Sequence, residues 1–232
     1  MLPSKPLSLA VIIAAAGSGK RLPGSVPKQW RLLGGIPLLA HSFRFFDAFP
    51  GVQQFAIALD AQTLAMSERT GFLVSAHGVN VRLVEGGGER QESVWKALET
   101  LDPAPDIVLI HDAARPFPPV DGVQLAIEMA VREGGAILAR PVTETIKRVN
   151  GNGLIIETLD RSVLRAAQTP QVFQYGALMR AYEKFVGQLA QFTDDAVIFE
   201  AAGGKVLVVN GSENNFKVTH PEDFERAENL LK

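Results

Sequence analysis

Cysteine is absent from the 232 residues, which removes disulfides, thiolate metal sites and cysteine nucleophiles together and agrees with a reducing compartment. An excess of one charge is absent too. The 23 basic and 25 acidic residues leave a formal net charge of -2, so the chain carries no electrostatic footprint for nucleic acid or anionic lipid, and neither is expected as a partner. There is no long hydrophobic run. The apolar stretch 9–16 is short and stops at Gly17, so neither a signal peptide nor a membrane span is predicted, and a cytoplasmic protein is expected. Histidine is sparse, and His41, His77, His111 and His220 show no metal-ligand spacing. No protein-held metal is assigned, and no Ser-His-Asp arrangement supports acyl transfer.

What is present is a rhythm. Short runs rich in Val, Ile and Leu, at 9–14, 55–59, 81–84, 107–110, 136–139 and 206–209, read as buried strands. Between them 37–49, 64–76, 89–101, 123–133 and 175–186 carry helical apolar spacing. This βαβ alternation predicts an α/β, Rossmann-like fold: a mostly parallel twisted sheet with helices on both faces, and ligands beyond the carboxyl ends of the strands. With 47% hydrophobic residues a chain of this length buries around 70% of its unfolded surface, so one large α/β domain over 1–232 is expected.

The rhythm breaks at 141–159. Residues 145–149 and 154–158 flank an Asn150-Gly151-Asn152-Gly153 turn, a β-hairpin signature. A lone ribbon is marginal in water, so it is expected to pack on a second subunit as an arm of a homodimer; the alternative is a hairpin folded back on its own sheet.

The first strand runs into Ala14-Ala15-Ala16-Gly17-Ser18-Gly19-Lys20-Arg21-Leu22, followed by Pro27-Lys28-Gln29. A P-loop is excluded, because Ala14 replaces its first glycine and Arg21 the hydroxyl that would hold magnesium. A dinucleotide fingerprint is excluded as well, because Leu22 stands where the third glycine belongs. What remains is a small-residue loop whose amides can approach a nucleotide, with Lys20, Arg21 and Lys28 to neutralise phosphates; a solvated basic turn is the plainer account. Gly86-Gly87-Gly88 leaves either a flexible turn or room for a flat base. His111-Asp112-Ala113-Ala114-Arg115-Pro116 puts a carboxylate and a guanidinium at the strand edge where ligands sit. Asp112 and Arg115 either pair with one another or serve a ribose, a metal-bound water or a substrate hydroxyl. Thr193 has N-cap character and Thr219 with Glu222 has capping-box spacing, while Lys217 alone reads as a solvated lysine.

Taken in order, these segments, with Arg90, Ser93-Val94, Thr145-Ile146-Lys147, Arg161, Thr169-Pro170-Gln171, Thr193-Asp194 and Lys217-Val218-Thr219, resemble the 2-C-methyl-D-erythritol 4-phosphate cytidylyltransferases of the non-mevalonate isoprenoid pathway. The resemblance covers nearly the whole chain. It implies transfer of a cytidylyl group from CTP to the substrate phosphate with release of pyrophosphate, by in-line attack on the α-phosphorus. By that resemblance Ala15, Ala16, Gly17, Gly19, Gly87, Ser93, Asp112 and Ala113 bind the nucleotide. Arg21, Lys28, Lys217 and Arg161 are catalytic, with Asp112, Arg115, Thr145, Arg161, Thr169, Thr193, Lys217 and Thr219 lining the acceptor side. Thr145 and Arg161 would come from a neighbouring subunit's arm, and Mg2+ would be held mainly through CTP phosphates. Lys20 stands where the family often has arginine, Glu144 where aspartate is common, and Gly88 where an acidic residue can stand. The competing expectations are another polyol phosphate, such as ribitol 5-phosphate, as acceptor, and a nucleotide-binding protein without catalysis. The segment ending at Leu231-Lys232 is read against a second activity fused to this one.

Overall fold

The computed structural model describes residues 6–17, 26–66 and 70–232. β1 (Leu9–Ala14) is followed by a short antiparallel pair, β2 (Leu32–Leu33) and β3 (Ile36–Pro37), then by α1 (Leu38–Asp47), β4 (Val52–Leu59), α2 (Ala61–Leu64) and β5 (Asn80–Glu85). The middle of the chain forms α3 (Arg90–Leu98), β6 (Ile107–Asp112), α4 (Val120–Glu133) and β7 (Gly134–Pro141). β8 (Lys147–Val149) and β9 (Ile155–Thr158) make the hairpin, and β10 (Arg165–Gln174), α5 (Tyr175–Lys184), α6 (Asp195–Ala201), β11 (Lys205–Asn210) and α7 (Pro221–Asn229) complete the order.

Among the described residues seven strands form one sheet in the order β11-β7-β10-β6-β1-β4-β5. All neighbours run parallel except β10, which is antiparallel to both β6 and β7. The predicted helices cover both faces, and β1 shows why. Its side chains alternate: Leu9, Val11 and Ile13 meet Leu39, Phe43 and Phe46 of α1 and Val123 and Ala126 of α4. Ala10 and Ile12 meet Val94 and Ala97 of α3, Leu178 and Tyr182 of α5 and Ile198 of α6. A strand buried on both sides is a continuous apolar run, each fully buried large side chain contributing about 1.5–3 kcal/mol.

Three expectations are corrected. The strand β10 was not foreseen, because Gln168-Thr169-Pro170-Gln171 interrupts its apolar character and its pairing with β7 shifts register between Ala167 and Gln171. The helix expected at 64–76 is not continuous: the single turn α2, started by Asp60, whose carboxylate accepts from the Thr63 amide at 2.9 Å, ends at Leu64, residues 65–66 and 71–76 are not helical, Thr70 is, and 67–69 lie outside the described residues. Residues 73–75 are not helical; Ser75 Oγ donates to Asp47 and accepts the amides of His77 and Val79, so side-chain bonds take the place of helical ones. Two helix starts lie one residue later than expected. Asp194, not Thr193, caps α6 through Val197 N at 3.0 Å. His220 precedes α7 in a box closed by Asp223 rather than Glu222, the Asp223 carboxylate accepting from Thr219 N and His220 N.

The hairpin stands apart. Among the described residues β8 and β9 pair only with each other, and their residues are exposed throughout, including Ile155 at 55% and, in the turn, Leu154 at 66%. It is therefore not folded back on the main sheet. Among the described residues no helix is long and apolar enough to cross a membrane.

Candidate active site

A cavity of about 520 Å³ opens at the carboxyl ends of β1, β5 and β6, within the size range of small-molecule sites. The sheet dictates this place: β1 connects onward to β4 on one side and lies beside β6 on the other, and a crevice forms where strand order reverses. Ala15, Ala16 and Gly17 leave β1 along one wall, Gly87, Gly88 and Ser93 form another, and Asp112 and Ala113 close the end of β6. Lys28, Lys217 and Thr219 complete the lining from loops. Gly19 and Arg21 lie outside the described residues.

The glycine wall is a steric requirement. A Cβ on Gly86 would come within 2.4 Å of the Ala16 Cβ, and one on Gly87 within 2.4 Å of the Glu92 Cβ. Only glycine lets these two loops close on each other. Ser93 Oγ accepts from Gly87 N at 3.0 Å and donates to Glu89 O at 3.1 Å, locking the wall to the start of α3.

Asp112 organises the charge. Its Oδ1 accepts from Arg90 Nε at 2.9 Å and its Oδ2 from Lys217 Nζ at 2.8 Å, with Arg115 Nε 3.7 Å from Oδ2. Burial opposes its ionisation, but Arg90, then Lys217 and Arg115, hold its carboxyl well below the usual carboxylate range. The Asp112–Arg115 pairing, one of the two alternatives open in the sequence, is thus one part of a larger cluster. Arg115 itself donates to Asn215 O at 2.7 Å, fixing the loop that carries Lys217. Arg90 was singled out only by resemblance, yet it lines the pocket and bridges Asp112 to Asp195 at 2.8 Å. The available signal was its position, first in α3 after three glycines.

Thr169 lies behind the wall. It is buried, its Oγ1 accepting from Asp112 N at 3.0 Å and donating to His111 Nδ1 at 3.1 Å. His111 Nε2 therefore carries the proton and donates to Arg115 O at 2.8 Å. Its burial, against the helping bond to Arg115, lowers its pKa to about 4. Stability from a neutral buried histidine is present above its unfolded pKa of about 6.5 and lost as pH falls toward 4, in total about 3 kcal/mol. Urea unfolding between pH 7 and 4 should show this loss in the native chain and a shallower one in His111→Gln; parallel pH curves would contradict it.

Thr193, Arg115, Thr145 and Arg161 are not on the pocket wall of this chain. Thr193 precedes the α6 cap, Thr145 sits exposed at the root of the hairpin, and Arg161, just after the hairpin, donates to the Thr143 carbonyl. For Mg2+, both Asp112 oxygens are already taken by cations, and among the described residues no three His, Cys, Asp or Glu side chains gather as a cation cage. These residues offer no ligand set for a metal.

The family model for IspD, 2-C-methyl-D-erythritol 4-phosphate cytidylyltransferase, matches residues 9–232. The chain is 41% identical over 223 residues to the enzyme of that name from Symbiobacterium thermophilum, covering 96% of this chain and 92% of the relative. It is 45% identical over 229 residues to the bifunctional enzyme IspD/IspF of Rhodospirillum rubrum, covering 97% of this chain but only 57% of that longer relative. The crystal structure of the Francisella tularensis 2-C-methyl-D-erythritol 4-phosphate cytidylyltransferase superposes with a TM-score of 0.81 at 31% identity, covering 97% of this chain and all of the other. With the sheet order, the glycine-walled pocket and the Asp112 cluster, these matches establish that the chain belongs to the IspD family of 2-C-methyl-D-erythritol 4-phosphate cytidylyltransferases.

Proposed function

We propose that the pocket holds CTP with its base between Ala15-Ala16 and Gly87-Ser93 and its triphosphate toward Lys28, Lys217 and Arg21, and that the phosphate of 2-C-methyl-D-erythritol 4-phosphate attacks the α-phosphorus in line with departing pyrophosphate. The observation that carries this is the gathering of Arg90 and Lys217, on the crevice wall with Lys28, and of Arg115, which supports that wall, around Asp112. Nucleophile and target are both anions, repelling by about 4 kcal/mol per charge pair at 4 Å and an effective dielectric near 20. Three cations against Asp112 and Asp195 leave the cluster net positive, and Lys28 adds to it. No general base is needed, because the monoester is already ionised near neutral pH; positioning and charge neutralisation do the work. Mg2+ bound through the triphosphate oxygens would add further neutralisation.

The exposed apolar hairpin fits a homodimer in which Thr145 and Arg161 of one subunit reach the acceptor side of the other's pocket; within one chain they stand away from it. The activity is tested by pyrophosphate release from each nucleoside triphosphate against a panel of acceptors including ribitol 5-phosphate. Release with CTP and methylerythritol phosphate, at least about tenfold above every other pair, is expected. CTP bound without turnover on any acceptor would overturn it.

A further inference from the structure

Behind the pocket lies a buried chain that cytidylyl transfer does not touch directly. The Tyr182 hydroxyl of α5 donates to Asp195 Oδ1 at 2.6 Å, and Asp195 Oδ2 accepts from Arg90 Nη1 at 2.8 Å. Tyr182 and Asp195 are both fully buried, and the Tyr182 ring stacks on Trp95 at 5.9 Å and 10°. Gln171 ties down the start of α6, donating to Asp194 at 2.8 Å and accepting from Ala196 N at 2.9 Å. The Arg90 guanidinium is thereby divided between two carboxylates. A side-on arginine–carboxylate fork uses Nε and Nη2 on the two oxygens of one carboxylate. Here Nε meets Asp112 Oδ1, and Nη2 is buried without a hydrogen-bond partner among the described residues. The second Asp112 oxygen is given to Lys217.

We propose that Tyr182 and Asp195 are positioning residues for Lys217, acting through Arg90 and Asp112: by drawing Nη1 aside they keep Arg90 from closing a fork on Asp112 that would evict Lys217 from Oδ2. This rests on the assignment of Lys217 to the reacting phosphates. Once Asp195 loses its hold, Arg90 turns to satisfy Nη2 on Asp112, and the lysine is released to the solvent side.

The test is a double-mutant cycle on the full chain. Tyr182→Phe keeps the ring and its stacking but removes the donor, and is expected to lower kcat about tenfold, the size of one charge-assisted hydrogen bond, with KM for CTP within about twofold. In a Lys217→Ala background the same change should alter kcat by less than about twofold, because the group it positions is gone. A tenfold loss that persists without Lys217, or a Tyr182→Phe enzyme with wild-type kcat beside a crippled Lys217→Ala enzyme, overturns the positioning role alone. A fully active Lys217→Ala enzyme overturns the assignment of Lys217 itself. If Tyr182→Phe does not fold, Asp195→Asn, of the same shape, enters the same cycle with the same expected non-additivity.

Discussion

Lys28→Ala is expected to fold normally and to lose about 10²–10³-fold in turnover, the usual cost of removing one preorganised charge-stabilising group. The fold tolerates the change because the short turn Lys28–Trp30 is anchored by its other members: Gln29 and Trp30 are buried, and Trp30 Nε1 donates to Thr63 Oγ1 at 3.1 Å. Circular dichroism and thermal unfolding should match the native chain while pyrophosphate release collapses. Lys28 also marks one subunit's contribution in the dimer proposed above. Heterodimers of Lys28→Ala with Arg161→Ala protomers should regain part of the activity, since one of the two hybrid sites then holds both side chains. Confirmed heterodimers without rescue would assign each site to a single subunit, and a Lys28→Ala enzyme with native turnover would remove Lys28 from the reaction.

Asp112→Asn should act on stability and chemistry at once. It leaves Arg90, Lys217 and Arg115 without their shared counter-charge, and breaking a buried ion pair from one side costs about 3–5 kcal/mol. For a chain of this size that lowers Tm by roughly 10 °C. The pH signature has a definite sign. A carboxylate whose folded pKa is depressed contributes its stability above the unfolded value near 4, and that contribution is lost as pH falls through the depressed folded value. Asp112→Asn should therefore be less stable than the native chain at pH 7, with the gap narrowing in strong acid. Turnover should fall as well, because Lys217 loses the acceptor that holds it at 2.8 Å. A variant of native Tm would show that the cluster is not coupled through Asp112.

Most of the architecture was legible because β1, β4, β6 and β7 are buried on both faces and so appear as unbroken apolar runs. β10 was hidden for the opposite reason. It enters the sheet beside the pocket, where Gln168, Thr169 and Gln171 are buried but hydrogen-bonded to Ser212, His111 and Asp194, and such residues look like loop in a sequence. The glycine loops and the Asp112 strand end announced the crevice, since small residues and charges at strand termini have few structural uses. The division of labour inside it was not announced. Thr169 and Arg115 turned out to support the wall rather than line it, Arg90 and Asp195 meet across 105 positions of chain, and no local spacing encodes such a pairing.

Cations converging on a glycine-walled cradle would let two phosphorylated anions meet. A crystal structure of the CTP complex tests this most directly. The base is expected against Ala15, Ala16 and Gly87 and the triphosphate within ion-pair distance of Lys28 and Lys217; a triphosphate bound away from both lysines would overturn the proposed reaction.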